Sequence, residues 1–301
     1  MRALVTGATG FVGHRLLLRL EEPVVLSRDP VRARESLAPR KVTAFPWRAA
    51  DGPPPAEAFD GVDCVIHLAG ESVGEGRWNE AKKNRIRESR VAGTRNLVEG
   101  IARLDKKPRV LVSASAVGYY GSRGDQVLTE SASPGDDFLA EVCIGWEEEA
   151  AKARRHDVRV VSMRTGVVLG SGGGALAKML TPFRLGVGGR LGDGRQWMPW
   201  IHIDDLVGII LHSCQNDSVK GPVNGTAPNP VTNFEFTKTL GRVLKRPTVF
   251  PMPRFMLRLA LGEFGDVLLT SQRAVPEAAQ KSGYEFQYPD LEGALRAILK
   301  R

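Results

Sequence analysis

The sequence has few cysteines and histidines and no long apolar run. Its three cysteines, Cys64, Cys143 and Cys214, lie far apart, and its five histidines show neither an HExxH nor a paired spacing. These numbers and spacings exclude a disulfide scaffold, a CxxC metal site and a catalytic zinc site. No apolar run approaches the ~18 residues that a membrane span requires, and the N-terminal segment MRALVTGATG lacks the apolar region of a signal peptide. We therefore expect a cytoplasmic protein without a metal site or a membrane partner.

The chain is basic, but its basic residues are scattered. It has 301 residues, with 42 Lys and Arg against 34 Asp and Glu, which gives a net charge of +8. The densest basic cluster lies between residues 80 and 90, where two glutamates interrupt it, and no aromatic residues alternate with it as they do in RNA-binding motifs. This pattern favours a solvated helix face over a polyanion site. We expect a small-molecule substrate, no nucleic-acid partner, and a monomer or homodimer.

Short apolar runs alternate with amphipathic segments through the first half of the chain. The runs are rich in branched residues, and the predicted strands lie at residues 3–6, 24–27, 64–69, 110–113 and 158–163. Apolar residues recur at helical spacing in residues 11–20, 78–103 and 138–155. This alternation predicts an α/β fold, a doubly wound parallel sheet of the Rossmann type with helices on both faces.

The second half of the chain has a different composition. Glycine-rich stretches occur at 170–174 and 186–194, and prolines punctuate the residues beyond 224. Helices are predicted there at residues 235–244, 255–269 and 291–299. The pattern predicts a smaller α+β lobe that takes the substrate. We therefore divide the chain into a Rossmann domain, residues 1–223, with 170–200 contributing to the substrate cleft, and a C-terminal lobe, residues 224–301.

A glycine-rich turn joins the first predicted strand to the first predicted helix. Residues 4–13 read LVTGATGFVG, in which three glycines stand three residues apart. Such glycines permit a tight turn, the approach of a pyrophosphate to the backbone, and close packing of the helix on the strand. The helix N-terminus then offers free N–H groups to the anion. A tight turn without a ligand is the alternative. The predicted phosphate-binding residues are Gly7, Thr9, Gly10, Phe11, Val12 and Gly13.

The end of the second predicted strand bears on which dinucleotide binds. An acid there would accept hydrogen bonds from a ribose hydroxyl, whereas an arginine would neutralise a 2′-phosphate. Ser27 and Arg28 occupy this place and predict NADP(H) as the cofactor. Asp29 follows directly, and NAD is the alternative if its carboxylate serves as the acid.

Several segments resemble the extended short-chain dehydrogenase/reductase superfamily, which includes NAD-dependent epimerases and dehydratases. Besides the glycine turn they are DCVIHLAG at 63–70, SASAVGYYG at 113–121, RTGVVLG at 164–170 and WIHIDDL at 200–206. Residues 146–147, 195–205 and 282–286 further resemble the 39U-type epimerase family proteins, an atypical group with a characteristic C-terminal segment. The resemblance implies a Rossmann fold that binds NADP.

The resemblance also implies which further residues lie beside the cofactor. Those residues are Leu68, Ala69, Gly70, Arg85, Arg90 and Val168. Arg90 stands where the superfamily pattern has Asn, and a solvated basic face is the alternative for Arg85 and Arg90.

A second set of residues lies in the stretch that meets the substrate in the superfamily. Arg195, Gln196 and His202 are the candidates, and a structural histidine is the alternative for His202. Asp204 and Asp205 follow, and we expect them to be N-cap residues of a helix rather than catalytic acids.

The sequence departs from the superfamily at the catalytic helix. Typical members carry a Tyr-x-x-x-Lys pair there, but this chain has Cys143 near the tyrosine place and Glu147 near the lysine place. We expect Cys143 to be a small buried residue, with an unusual catalytic acid as the alternative. Ser115 retains the superfamily's strand-end serine, and Tyr119 beyond it can supply a phenol. We predict these two as catalytic residues, with local packing as the alternative for each.

These features predict an NADP(H)-dependent oxidoreductase or epimerase-like enzyme that acts on a nucleotide sugar or a small carbonyl compound. The alternative is a protein that senses NADP(H) or serves as an interaction module with little or no turnover, in keeping with the cell-division role ascribed to some relatives. Loss of the Tyr–Lys pair favours the alternative, whereas the retained Ser115 favours the enzyme.

Overall fold

A computed structural model of the chain describes residues 1–300. Its strands are β1 (Ala3–Thr6), β2 (Val24–Ser27), β3 (Thr43–Pro46), β4 (Cys64–His67), β5 (Val110–Ala116), β6 (Val127–Leu128), β7 (Arg159–Thr165), β8 (Val167–Leu169), β9 (Trp197–Met198), β10 (Trp200–His202), β11 (Gly221–Gly225), β12 (Val231–Thr232) and β13 (Arg273–Ala274). Its helices are α1 (Phe11–Leu17), α2 (Pro30–Leu37), α3 (Glu80–Ala102), α4 (Phe138–Ala151), α5 (Gly174–Arg184), α6 (Ile203–Gln215), α7 (Asn233–Leu244), α8 (Arg254–Leu261), α9 (Phe264–Val267), α10 (Glu277–Lys281) and α11 (Leu291–Leu299).

Seven strands form one parallel sheet in the order β11-β7-β5-β4-β1-β2-β3. The chain leaves β1 toward one edge and returns through β4 toward the other, so the order reverses between these two neighbours. In open α/β sheets the crevice at the carboxyl ends of the strands beside such a reversal is where ligands bind. The predicted Rossmann-type sheet is confirmed.

The two faces of the sheet are covered by different helices. Successive residues of a strand point to opposite faces. Val5 of β1 accordingly packs in a cluster with α1 and α6, whereas Leu4 packs in a cluster with α3 and α4. The strand residues in both clusters are almost fully buried, which explains why these strands read as continuous apolar runs rather than alternating ones.

The end of the sheet does not match the predicted division of the chain. β11 has the sequence Gly-Pro-Val-Asn-Gly and pairs in parallel with β7. The predicted boundary between residues 223 and 224 therefore falls inside a strand of the sheet. A third apolar cluster joins α5, α7 and α11 beyond the sheet. The helix predicted at residues 255–269 is divided into α8 and α9, because Gly262 has a φ of +65° and ends α8.

The start of α6 is tied to the C-terminal residues. The expectation that Asp204 and Asp205 are N-cap residues was wrong, because the N-cap is His202, whose Nδ1 accepts the N–H of Asp204. Asp205 is fully buried and accepts hydrogen bonds from the backbone N–H groups of Gln287 (2.8 Å) and Tyr288 (2.9 Å). The hydroxyl of Tyr284 donates to the same carboxylate at 3.1 Å.

Within residues 1–300, no helix is both long enough and apolar enough to cross a membrane.

Candidate functional site

The glycine turn after β1 is held by backbone contacts that leave no room for side chains. Gly7 has a φ of +67°, and a Cβ built there would lie 2.8 Å from the carbonyl carbon of Leu68. A Cβ at Gly13 would lie 2.2 Å from the Gly7 oxygen. The N–H of Gly10 donates to that same oxygen at 3.0 Å. The turn is therefore locked against the residues that follow β4, with its backbone facing the crevice.

A cleft of about 370 Å³ opens at this edge of the sheet. Eight of the predicted cofactor residues line it: Gly7, Thr9, Gly10, Ser27, Arg28, Leu68, Ala69 and Gly70. Arg28 is exposed at the cleft. The carboxylate of Asp29 caps α2 instead and accepts the N–H of Arg32 at 3.0 Å. A cradle without side chains beside an exposed guanidinium suits a pyrophosphate and a further phosphate.

The structure places the other predicted cofactor residues outside this cleft. Phe11 packs its ring against the glycine loop after β8, and Val12 packs into the sheet core. Val168 also lies against that core. Arg85 is exposed at the surface, with its Nε 3.7 Å from Glu71.

Arg90 of α3 is half-buried against α4. Its guanidinium carbon lies 5.0 Å from the ring centroid of Trp146, and its Nη1 donates to the carbonyl of Glu71 at 3.0 Å. A Cβ at Gly70 would lie 3.2 Å from that guanidinium carbon. Arg90 therefore packs against Gly70, which is part of the wall of the cleft. The roles predicted for Arg90, Arg85, Phe11, Gly13, Val12 and Val168 stay predictions.

His67 ends β4 beneath the cleft and is fully buried. Its Nδ1 is 2.7 Å from the hydroxyl of Thr6, and its Nε2 is 3.1 Å from the hydroxyl of Thr94. Burial, and then the charge of Arg90, lower the pKa of His67 to about 4. The imidazole is therefore neutral at physiological pH and joins β1 to β4 and α3.

This pKa predicts an acid-dependent loss of stability. Below pH 6.5 the histidine of the unfolded chain binds a proton that the folded state excludes down to about pH 4, so stability falls as pH falls through this window. The expected loss that His67 contributes is about 3 kcal/mol. Urea unfolding at pH 7, 6, 5 and 4 measures it. His67→Gln should reduce the slope, whereas the exposed control His14→Gln should keep it, and equal slopes in His67→Gln and the wild type would contradict the assignment.

Ser115 lies at the carboxyl end of β5 and is joined to a buried ion pair. Its hydroxyl donates to Glu147 Oε1 of α4 at 2.7 Å. Both carboxylate oxygens of Glu147 accept from Arg164 of β7, with the two N–O distances at 2.8 Å. Burial alone would lower the pKa of Arg164, but the hydrogen bonds and charge of Glu147 outweigh burial and raise it.

The aromatic residues after β5 surround this ion pair. The guanidinium carbon of Arg164 lies 3.5 Å from the ring centroid of Tyr119. Arg164 also donates to the hydroxyl of Tyr120 at 3.1 Å. Burial raises the pKa of Tyr120 to about 12, and its hydroxyl donates to Asn224 at 2.7 Å. Tyr120 is thus structural, whereas the ring of the half-buried Tyr119 lies against the Arg164 side of the ion pair.

Cys143 agrees with the expectation of a small buried residue. Its side chain is almost fully buried. Burial, and then the nearby charge of Glu147, raise the pKa of its thiol to about 11. It is therefore a neutral thiol at physiological pH.

The predicted substrate residues are not brought together at this site. Arg195 is exposed, and the buried Gln196 donates to the carbonyl of Leu191 at 3.1 Å. His202 is buried and stacks on Tyr288 with a centroid distance of 3.8 Å. These contacts fit structural roles, and substrate binding by these three residues stays a prediction.

The sequence reasoning missed the ion pair of Glu147 and Arg164. One feature of the sequence indicated the ion pair: Arg164 directly follows the predicted strand at 158–163 in an otherwise apolar segment. A charged residue at a buried strand position requires a partner of opposite charge.

Two protein-family models match the sequence. The model of the NAD dependent epimerase/dehydratase family matches residues 3–224, and a domain of unknown function, DUF1731, matches residues 252–298. The chain is 43% identical to the chloroplastic epimerase family protein SDR39U1 homolog of Arabidopsis thaliana, covering 100% of this chain and 87% of that protein. It is 40% identical to the epimerase family protein YfhF of Bacillus subtilis, covering 99% and 98%.

A solved structure is similar over the whole chain. The human epimerase family protein SDR39U1, crystallised with NADPH, has a TM-score of 0.87 at 35% identity, covering 100% of this chain and 99% of that one. The chain therefore belongs to the NAD dependent epimerase/dehydratase family, as an atypical short-chain dehydrogenase/reductase of the SDR39U1 type.

Proposed function

We propose that the protein binds NADP(H) at the carboxyl edge of its sheet and catalyses oxidation or reduction at a carbinol or carbonyl carbon of a small molecule. A nucleotide sugar or a small carbonyl compound is the substrate class. The observation that carries the proposal is the single cleft that holds the glycine turn together with Arg28. The human relative that was crystallised with NADPH supports it.

Two features of the cleft support NADP(H) over NAD(H). The carboxylate of Asp29, which could have accepted a ribose hydroxyl, is engaged in capping α2. Arg28 stands exposed at the cleft, where its guanidinium suits a 2′-phosphate. When bound, the cofactor supplies or accepts the hydride.

Ser115 and Tyr119 are the proposed catalytic residues. The hydroxyl of Ser115 donates its hydrogen bond to Glu147, which leaves the lone pairs of the Ser115 oxygen to accept a second hydrogen bond. Such an oxygen suits the hydroxyl of a carbinol substrate. Tyr119 follows Ser115 by four residues and has its ring on Arg164, and its phenol is the group proposed to exchange a proton with the reacting oxygen.

A second candidate is a protein that binds NADP(H) without turnover. The observation that favours it is the chemistry of α4, where Cys143 is a neutral buried thiol and Glu147 is held by Arg164. Neither group can replace the tyrosine and lysine of typical superfamily members.

The cofactor assignment predicts a change in preference on replacing Arg28. Arg28→Gln should weaken NADPH binding by about 10- to 100-fold, because a charge-assisted hydrogen bond contributes about 1.5–3 kcal/mol. Binding of NADH should change little. Fluorescence titration or calorimetry measures both affinities. The control Arg103→Gln removes an exposed arginine at the end of α3, remote from the cleft, and should leave both unchanged.

The same titration tests the proposal as a whole. Tighter NADH than NADPH binding in the wild type would overturn the cofactor assignment. Incubation of the wild type and Ser115→Ala with NADPH and a panel of nucleotide sugars and small carbonyls then separates the two candidates. NADPH oxidation that Ser115→Ala abolishes supports the enzyme, whereas binding without oxidation supports the sensor.

A further inference from the structure

Exposed apolar side chains are concentrated on one part of the C-terminal half. Of the thirteen large apolar side chains that are exposed within residues 1–300, eight lie in residues 185–187 and 249–259. We call these eight the apolar patch; they are Leu185, Val187, Val249, Phe250, Met252, Phe255, Met256 and Leu259. Such a concentration marks an interaction surface, whereas single exposed apolar residues do not.

The patch is continuous because its two segments run side by side. The N–H of Met252 donates to the carbonyl of Arg190 at 2.8 Å, and the N–H of Gly192 donates back to Met252 at 2.9 Å. The side chain of Arg246 also donates to the carbonyl of Arg184 at 2.9 Å. α8 supplies the last part of the second segment and is anchored by Leu257, which is its one buried residue.

The side chains of the patch protrude. Leu259 is 77% exposed, Leu185 73% and Phe255 70%. A groove that accepts side chains of a protein partner would shield its own lining, so these values fit a surface that inserts into a soft apolar layer rather than one that receives a ligand.

The charge around the patch is mostly positive, and its acidic neighbours Glu263 and Asp266 are paired with basic residues. Residues 184–190 and 245–258 contain six Arg and Lys and no Asp or Glu. Arg254 and Arg258 share Asp266 of α9, whereas Arg184, Lys245 and Arg246 are exposed beside the apolar side chains. A second copy of the chain would bring these cations against each other across a two-fold axis. An anionic surface is complementary to them.

We propose that the apolar patch docks the protein onto an anionic phospholipid surface. Phe, Leu and Met side chains enter the interface while flanking Arg and Lys side chains pair with lipid phosphates, as in amphipathic segments that lie in the plane of a membrane. The expectation of no membrane partner rested on the lack of a spanning segment, and interfacial docking needs none. The inference is independent of the proposed reaction.

Sedimentation of the full chain with vesicles tests the proposal. The wild type should bind vesicles of equal parts phosphatidylcholine and phosphatidylglycerol, and added salt should weaken the binding. Phe255→Ser/Leu259→Ser should reduce the binding about tenfold or more. Lys245→Gln/Arg246→Gln should reduce it about tenfold. The matched control Leu18→Ser/Val31→Ser removes exposed apolar side chains, one directly after α1 and one in α2, and should bind like the wild type.

Three results would overturn the proposal. One is a wild type that stays in solution with both anionic and pure phosphatidylcholine vesicles. Another is equal binding by the wild type and the Phe255→Ser/Leu259→Ser variant, whose fold is checked by circular dichroism. The third is a concentration-dependent dimer that this variant abolishes without any vesicle binding, which would assign the patch to a second copy of the chain.

Discussion

Replacing Gly13 by alanine is expected to abolish NADPH binding and to destabilise the fold. The added Cβ would lie 2.2 Å from the oxygen of Gly7 and 2.7 Å from the Cα of Ala8. Both are backbone atoms of the turn itself, so α1 must move away from β1 or the turn must change shape. Overpacking of this kind costs about 3 kcal/mol. NADPH affinity should fall about 100-fold or more because the backbone that faces the pyrophosphate is displaced.

Gly293→Ala is the matched control for this substitution. Gly293 also lies in a helix, α11, but a Cβ there would have nothing within 4 Å. Because alanine is the better helix former by about 1 kcal/mol, this variant should be as stable as the wild type or more stable. Urea unfolding and NADPH fluorescence measure both variants. NADPH binding by Gly13→Ala at wild-type affinity would show that the turn does not hold the cofactor.

Replacing Glu147 by glutamine is expected to lower the free energy of unfolding by about 3–5 kcal/mol, because it leaves a buried guanidinium without its counter-charge. The Arg164 side chain is 4% exposed and that of Glu147 15%. Glutamine has nearly the same shape as glutamate, so the loss of stability arises from the missing charge and not from a cavity. Chemical denaturation measures it.

Two further variants separate charge from other effects. Glu277→Gln removes one partner of an exposed pair with Lys281 and should cost less than about 1 kcal/mol. The double variant Glu147→Leu/Arg164→Leu should recover part of the stability that Glu147→Gln loses, since apolar residues need no charge partner. A Glu147→Gln variant as stable as Glu277→Gln would be inconsistent with a buried ion pair.

The sequence was sufficient for the layered architecture because its central strands are buried on both faces. β1 and β2 have the predicted bounds, and α11 does as well. β3 and β11 were missed for a physical reason. β3 is a partly exposed edge strand that ends in Pro46, and β11 has glycine at both ends and proline inside. Pairing with a neighbouring strand outweighs such weak local preferences.

The candidate site was predictable only in part. Residues that follow a strand in sequence, such as Gly7, Arg28 and Leu68, meet at one edge because parallel strands end together. The contact of Glu147 with Ser115 was not predictable, because tertiary packing rather than any short-range sequence pattern brings α4 and β5 together. The periodicity of apolar residues indicates which face of α4 is buried, but it does not indicate which residues that face contacts.

Asp205 has a consequence for the two regions that separate family models recognise. It lies in the region that matches the epimerase/dehydratase model, yet its donors, the Gln287 and Tyr288 amides and the Tyr284 hydroxyl, come from the region that matches DUF1731. Removing that region would take these three donors from the carboxylate and uncover the start of α6. The two regions therefore share a buried hydrogen-bond network, and we expect them to unfold together rather than one after the other.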